Sequence, residues 1–154
     1  MAAAKRIMLV CSSGGHLLQL HTLSLALGSE HNKVWDSFNK SDARSILKDE
    51  ECYWAHFPTN RNVLNLIRNA VLSCQLLSSQ RPDIVMSTGA GIAVPFLIMA
   101  RLFGAKSVYI ESFARKDDLS LSGKLLDRFV DRFYVQHDGL TKKYKNAIFR
   151  GSIY

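Results

Sequence analysis

Two short glycine-bearing stretches gather the residues with the most chemical reach. CSSGGH (residues 11–16) sets Ser12 and Ser13 before Gly14, Gly15 and an imidazole, His16. STGAGIAVP (residues 87–95) sets Thr88 before Gly89, Ala90 and Gly91. Glycines let the backbone approach a ligand closely, and the free N–H groups of a following helix suit a phosphate or a sugar hydroxyl. His16 stands where a helix begins, and the positive end of its dipole favours a neutral imidazole. A neutral ring facing a ligand can take the proton of a sugar hydroxyl. Glu111, in the run YIES, is expected on the same rim, to bind a hydroxyl or to pair with Arg115 or Lys116. Plainer roles stand beside these: glycines that relieve tight turns, and a histidine that caps a helix or orients a ligand. His21, His31, His56 and His137 lack a comparable context.

The elements needed to position these residues alternate along the chain. Strands are predicted at Lys5–Cys11, Asn32–Ser37, Cys52–Phe57, Asp83–Ser87, Ser107–Ile110 and Phe133–Gln136, with a last extended piece at Ala147–Ile153. Helices are predicted at Gly15–Leu27, Ser41–Lys48 (capped by Ser41), Asn62–Ser79, Gly91–Phe103, Ser120–Val130 and Gly139–Lys145. Pro95 falls in the first turn of its helix, where it is tolerated. This alternation predicts an α/β fold, a Rossmann-like doubly wound parallel sheet in one domain. In such a sheet the first and fourth strands meet at the switch point, and those are the two strands that end in glycine loops.

Composition limits the partners. Of 154 residues 47% are hydrophobic and 21% charged, ordinary for a globular protein, but the net charge of +7 favours an anionic ligand or surface. The basic residues are spread without a basic–aromatic stripe, which disfavours nucleic acid. Cys11, Cys52 and Cys74 form no CxxC pair, pointing to a reducing compartment and to neither disulfides nor zinc. No signal peptide is read at the start, and the longest apolar run, GIAVPFLIMARLFGA, is interrupted by Pro95 and Arg101 and is too short to span a bilayer.

Familiar nucleotide motifs fail. GAGIAV has Val94 where a third glycine belongs and follows the fourth strand rather than the first, so a nicotinamide reading is weak. FGAKS lacks the upstream glycine of a P-loop, and no GxSxG elbow occurs. No cofactor and no metal are expected.

Taken together, VCSSGGH, RPDIVMSTGAGIAVPFLIMARLFGAKSVYIES, SLSGKLLDRFVDRFYVQ and YKNAIFRGSIY resemble the bacterial PssD/CpsF-type capsular and exopolysaccharide proteins. These are similar to the membrane-anchoring subunit of the bipartite N-acetylglucosaminyltransferase that makes the dolichol-linked disaccharide. More distantly, both glycine loops resemble the acceptor-side half of MurG, a two-domain GT-B glycosyltransferase. The resemblance covers nearly the whole chain. It implies a single acceptor-side GT-B half-domain (residues 1–154), working with a separate donor-binding subunit at the cytoplasmic face of a membrane. That pair would transfer a sugar from a nucleotide donor, shared with the partner, to a polyprenyl-diphosphate-linked saccharide. On the family pattern, His16 with Ser12–Gly15, Thr88–Gly91, and Glu111 with Ser112 line the acceptor cleft. A fused enzyme would continue into its donor domain beyond GSIY, so the partner is expected to dock near Tyr144–Tyr154.

Eukaryotic relatives carry a transmembrane helix that is not read here, and the helix Asn62–Ser79 is the expected substitute. Its core stripe is read as Val63, Ile67, Ala70, Val71, Cys74 and Leu77. Leu72 and Leu76 then fall on the outer face, near Arg61 and Arg68, in a pattern suited to anionic lipid. Scattered surface leucines or a partner interface would give the same pattern. Two other functions remain open at this level: a non-catalytic anchor and activator, and a stand-alone nucleotide-binding module.

Overall fold

The computed structural model describes residues 3–154. Seven strands are present: β1 (Arg6–Cys11), β2 (Asn32–Phe38), β3 (Glu51–Ala55), β4 (Ile84–Gly89), β5 (Lys106–Ile110), β6 (Arg132–Val135) and β7 (Ala147–Phe149). Between them lie α1 (Gly15–Ala26), α2 (Ser41–Ile46), α3 (Val63–Gln80), α4 (Ala93–Ala100) and α5 (Leu121–Leu126), with 3-10 turns at Arg101–Phe103 and Asp138–Lys142. All pairings are parallel, in the order β3-β2-β1-β4-β5-β6-β7. Strand order reverses between β1 and β4, which pair through Ile7 with Ile84 to Cys11 with Gly89. The expected doubly wound Rossmann-like sheet is therefore the fold.

Alternation along the strands feeds two cores. Met8, Val10, Val85, Tyr109, Phe133 and Val135 pack with α4 and with Leu76, Leu77 and Leu126. Ile7, Leu9, Cys11 and Trp35 pack on the other face with Leu17 and Leu20 of α1 and Ala43 of α2. The α4 segment is apolar on nearly every side because it sits in the middle of its layer, with Ala93, Phe96, Leu97 and Ala100 fully buried.

Several boundaries differ from the sequence reading. Lys40, not Ser41, occupies the cap position of α2 and makes no side-chain capping bond. The Gly91–Phe103 helix is α-helical only over Ala93–Ala100, the basic Gly139–Lys145 helix is a 3-10 turn, and β7 ends at Phe149, leaving residues 150–154 as an extended tail.

The larger correction concerns α3, where Leu77 is buried as predicted but the N-terminal part of the predicted core stripe faces outward. Val63, Ile67 and Val71 are exposed, whereas Leu76 is buried and Leu72 is half-buried against the core. The inward face is made by Asn65, Asn69, Ser73, Leu76 and Leu77. Asn69 accepts from the His56 N–H at 2.8 Å and donates to the His56 carbonyl at 3.0 Å, and Asn65 donates to the Pro58 carbonyl at 2.8 Å. These amides pin the backbone of the exposed loop after β3 onto α3. Polar inward residues displaced the apolar stripe to the outside. Among the described residues no helix is long and apolar enough to cross a membrane.

Candidate functional site

At the switch point the two glycine loops are joined directly: the Ser12 N–H donates to the Gly89 carbonyl at 3.0 Å. His16, in the first turn of α1, reaches across to β4. Its Nδ1 lies 2.7 Å from the Thr88 carbonyl, and Thr88 Oγ1 donates to the His16 carbonyl at 2.7 Å. A carbonyl oxygen only accepts, so Nδ1 carries a proton and Nε2 is left as the nitrogen able to accept one when the ring is neutral. Gly89, at φ 113°, is required here because a Cβ at this position would stand 2.8 Å from His16 Cε1 and 3.0 Å from Nδ1.

His16 lines a cavity of about 510 Å³. Its lining comes from four further segments: Ala90 and Gly91 after β4, Thr59–Arg61 before α3, Tyr109 with Ser112, Ala114 and Arg115 from β5 and the loop after it, and Ser120–Ser122 at the start of α5. Two arginines thus line one cavity of mixed polar and apolar surface, a setting for a dianionic group. Arg61 holds a left-handed backbone at φ 52°, an uncommon conformation for a residue with a side chain.

The other predicted residues are placed as follows. Thr88 and Gly89 are buried behind His16. Ser12, Ser13, Gly14 and Gly15 lie beside the cavity rather than lining it, and the Gly14 N–H is taken by Asp42 of α2 at 2.7 Å. Ser112 is nearly buried, and its hydroxyl accepts from Ala114 N–H at 3.3 Å and Gln19 Nε2 at 3.4 Å. Arg68 is exposed on α3 and reaches Asn65 at 3.3 Å.

Glu111 is not a rim residue. It is fully buried, and its carboxylate accepts from Ser112 N–H, Ser120 N–H and Ser120 O–H, each at 2.9 Å, with the Tyr109 hydroxyl at 3.5 Å. Gly123 is obligatory beneath it, since a Cβ there would stand 2.1 Å from Oε2. A carboxylate occupied by four donors holds the 112–120 loop and the start of α5 in place, and does not reach a substrate proton. Burial, reinforced by the Glu111 charge, pushes the Tyr109 phenol up, so it stays a donor.

Sequence reasoning missed Thr59, Asn60, Tyr109, Ala114, Leu121 and Ser122 as cavity residues. Ser120 was legible as a helix start, and it caps α5 by accepting from Gly123 N–H at 3.0 Å. Burial pushes the thiols of Cys11 and Cys52 up, the latter to about 12, so neither is a nucleophile.

A second cavity, about 460 Å³, opens on the other sheet face between Leu23 and Ala26 of α1, the strand residues Met86, Val108 and Ile110, and the tail Arg150–Ile153. The tail is fastened by Ile153 N–H donating to Gln136 at 2.9 Å, and Gln136 in turn donates to Gln19 at 2.7 Å and to the Glu111 carbonyl at 3.0 Å.

A parallel sheet with a switch-point cavity flanked by two glycine loops defines a Rossmann-like half-domain of the GT-B kind. It resembles the solved structure of MurG from Acinetobacter baumannii with a TM-score of 0.81, at 15% identity, covering 97% of this chain and 46% of that one. The chain therefore spans about half the length of that structure. Residues 7–153 match the family model described as oligosaccharide biosynthesis protein Alg14 like, and the chain belongs to that family. It is 30% identical to the human UDP-N-acetylglucosamine transferase subunit ALG14, over 96% of this chain and 82% of that protein. The alg14 subunit of Schizosaccharomyces pombe is 46% identical over 77 residues, 47% of this chain and 37% of that one. The relatives matched are eukaryotic subunits of a UDP-N-acetylglucosamine transferase. These matches show the Alg14-like family and do not show the bacterial PssD/CpsF type.

Proposed function

We propose that this protein is the acceptor-side, membrane-associated subunit of a two-component glycosyltransferase. The reaction is transfer of a sugar from a UDP donor, held with a separate donor-binding subunit, to a hydroxyl of a polyprenyl-diphosphate-linked saccharide. The observation that carries this reading is one cavity that holds His16 together with Arg61 and Arg115. The arginines take the diphosphate, and His16 Nε2, oriented through Thr88, accepts the proton of the attacking hydroxyl. Ser112, Ala90 and Gly91 border the sugar, and Glu111 acts only by positioning the 112–120 loop. The Ser12–Gly15 loop supports the cavity from the side.

The exposed Val63, Leu64, Ile67 and Val71 of α3, flanked by Arg61 and Arg68, rest on the cytoplasmic face of the membrane. The partner docks at the crevice rim and along Tyr144–Tyr154, where the tail borders the apolar groove beside α1. A setting in capsular or exopolysaccharide synthesis fits the motifs from which the resemblance was read.

Reconstitution tests this. The isolated chain is expected to show no transfer and weak UDP-sugar affinity, with activity appearing on addition of the donor-binding subunit, because acceptor and anomeric carbon must be held within about 3–3.5 Å by two walls. Transfer by the chain alone, at a rate no partner changes, would refute the reading. Full activity of the pair after His16→Ala would favour the non-catalytic anchor instead.

A further inference from the structure

Among the residues that line the His16 cavity, one is a large exposed apolar side chain, Leu121 at the start of α5. On the α3 side every lining residue is polar: Thr59, Asn60 and Arg61. The start of α5 contributes Ser120, Leu121 and Ser122, and Leu121 is 87% exposed, making it the most exposed large apolar side chain among the described residues. Leu125 stands one turn further along, 48% exposed. Phe129 follows another turn on, 51% exposed, because Asp127 and Val130 continue the helical bonding to Gly123 and Leu126. The three side chains form a ridge that leads away from the cavity mouth. The inward Leu126 of the same segment is fully buried, so the outward leucines are not needed for the core.

We infer that this ridge receives the isoprenoid chain of the polyprenyl-diphosphate acceptor. The inference rests on the acceptor-side reading and adds the path of the lipid. An amphiphile with a dianionic head between Arg61 and Arg115 must lead its chain out over apolar surface to escape water. Leu121 is the exposed large apolar side chain that itself lines the cavity, and the ridge continues from it. Arg128, exposed beside Phe129, adds positive charge where the ridge nears a headgroup layer. The α3 face is then left to rest on the bilayer, and the two apolar faces have separate duties.

The test is calorimetric titration of the full chain with farnesyl diphosphate, kept below its micelle-forming concentration, and with inorganic diphosphate. The wild type is expected to bind the prenylated probe at least about tenfold more tightly. A Leu121→Ser, Leu125→Ser, Phe129→Ser variant should lose that gain while keeping its affinity for inorganic diphosphate and for anionic vesicles. If the triple variant does not fold, Leu121→Ser alone should lower the gain, and Leu121→Met should restore it. A variant that keeps the full gain overturns the ridge assignment and leaves the acceptor reading standing. Loss of vesicle binding or of partner binding, with the gain intact, reassigns the ridge to bilayer or protein and overturns it equally. A wild type that shows no gain from the chain overturns the acceptor reading and the ridge together.

Discussion

His16 and Thr88 hold one another twice, ring to carbonyl and hydroxyl to carbonyl, both at 2.7 Å. The pair ties the first turn of α1 to the end of β4 and selects the tautomer in which Nε2 accepts. His16→Ala should keep the fold and lower transfer by the reconstituted pair by about 10²-fold or more. Thr88→Val keeps the ring–carbonyl bond and loses only the hydroxyl, so a drop nearer tenfold is expected. Steady-state rates at saturating acceptor check both, and equal turnover of wild type and His16→Ala would take the imidazole out of the chemistry.

Arg61→Gly separates binding from stability. Glycine accepts the φ of 52° without a Cβ penalty, which offsets its larger unfolded-state entropy, so stability should change by less than about 1 kcal/mol. The acceptor KM should rise about tenfold with the loss of one charge-assisted contact, while kcat changes little. Thermal melts and acceptor titrations of the pair report the two quantities. A large fall in melting temperature would mean that the arginine is structural.

The two faces of α3 give opposite responses to the same chemistry. Ile67→Asp with Val71→Asp should leave the melt unchanged and abolish co-sedimentation with anionic vesicles, since both side chains are more than half exposed. Leu76→Asp should unfold the protein, because it buries a carboxylate without a partner. Wild-type sedimentation should fall with salt, as Arg61 and Arg68 each contribute about 1 kcal/mol near an anionic surface. Normal sedimentation of the Ile67/Val71 variant would remove this face from membrane attachment.

Asp36 sets a pH dependence of stability. It is fully buried on β2, neither carboxylate oxygen has a hydrogen-bond partner among the described residues, and burial pushes its carboxyl well above the usual range. In the window between its unfolded and its raised folded value the native state binds more protons than the unfolded chain. Stability from this group is therefore complete at acid pH and declines as pH rises, by at most about 1.4 kcal/mol per unit. Asp36→Asn removes the decline. The variant should match wild type near pH 4 and exceed it at pH 7 to 8 in denaturant titrations. Parallel curves across that range would show that Asp36 is charged and paired in the native state.

Much of the site was legible before any coordinates. Glycine after the first and fourth strands, with His16 behind the first, follows from the chemistry of strand-to-helix turns, and the parallel order brings those two ends together. Local pattern suffices in part because Gly14 and Gly89 take the positive φ that these turns need. Arg61 and Arg115 were legible as basic residues suited to a diphosphate or a lipid headgroup. That they face one cavity is decided by the packing of the loop before α3 and the loop after β5, which lie 54 positions apart in the chain.

What periodicity could not decide was the direction in which α3 and Glu111 face. The apolar residues of α3 suggested a core stripe through Val63, Ile67 and Val71, yet the helix turns Asn65 and Asn69 inward. Facing inward, the two amides bind the backbone of His56 and Pro58 and fix the loop after β3 against the helix. Glu111 follows the same rule. Its carboxylate gathers the N–H groups of Ser112 and Ser120 at the turn into α5, and that demand arises only once the loop is folded around it. The alternation of strands and helices and the position of the glycine loops were thus determined by the sequence itself, because local sterics and hydrophobic alternation act over a few residues. Which face of a helix is buried, and which carboxylate is free, was decided by the tertiary structure, because loop backbone groups distant in sequence recruit polar partners that no local pattern marks.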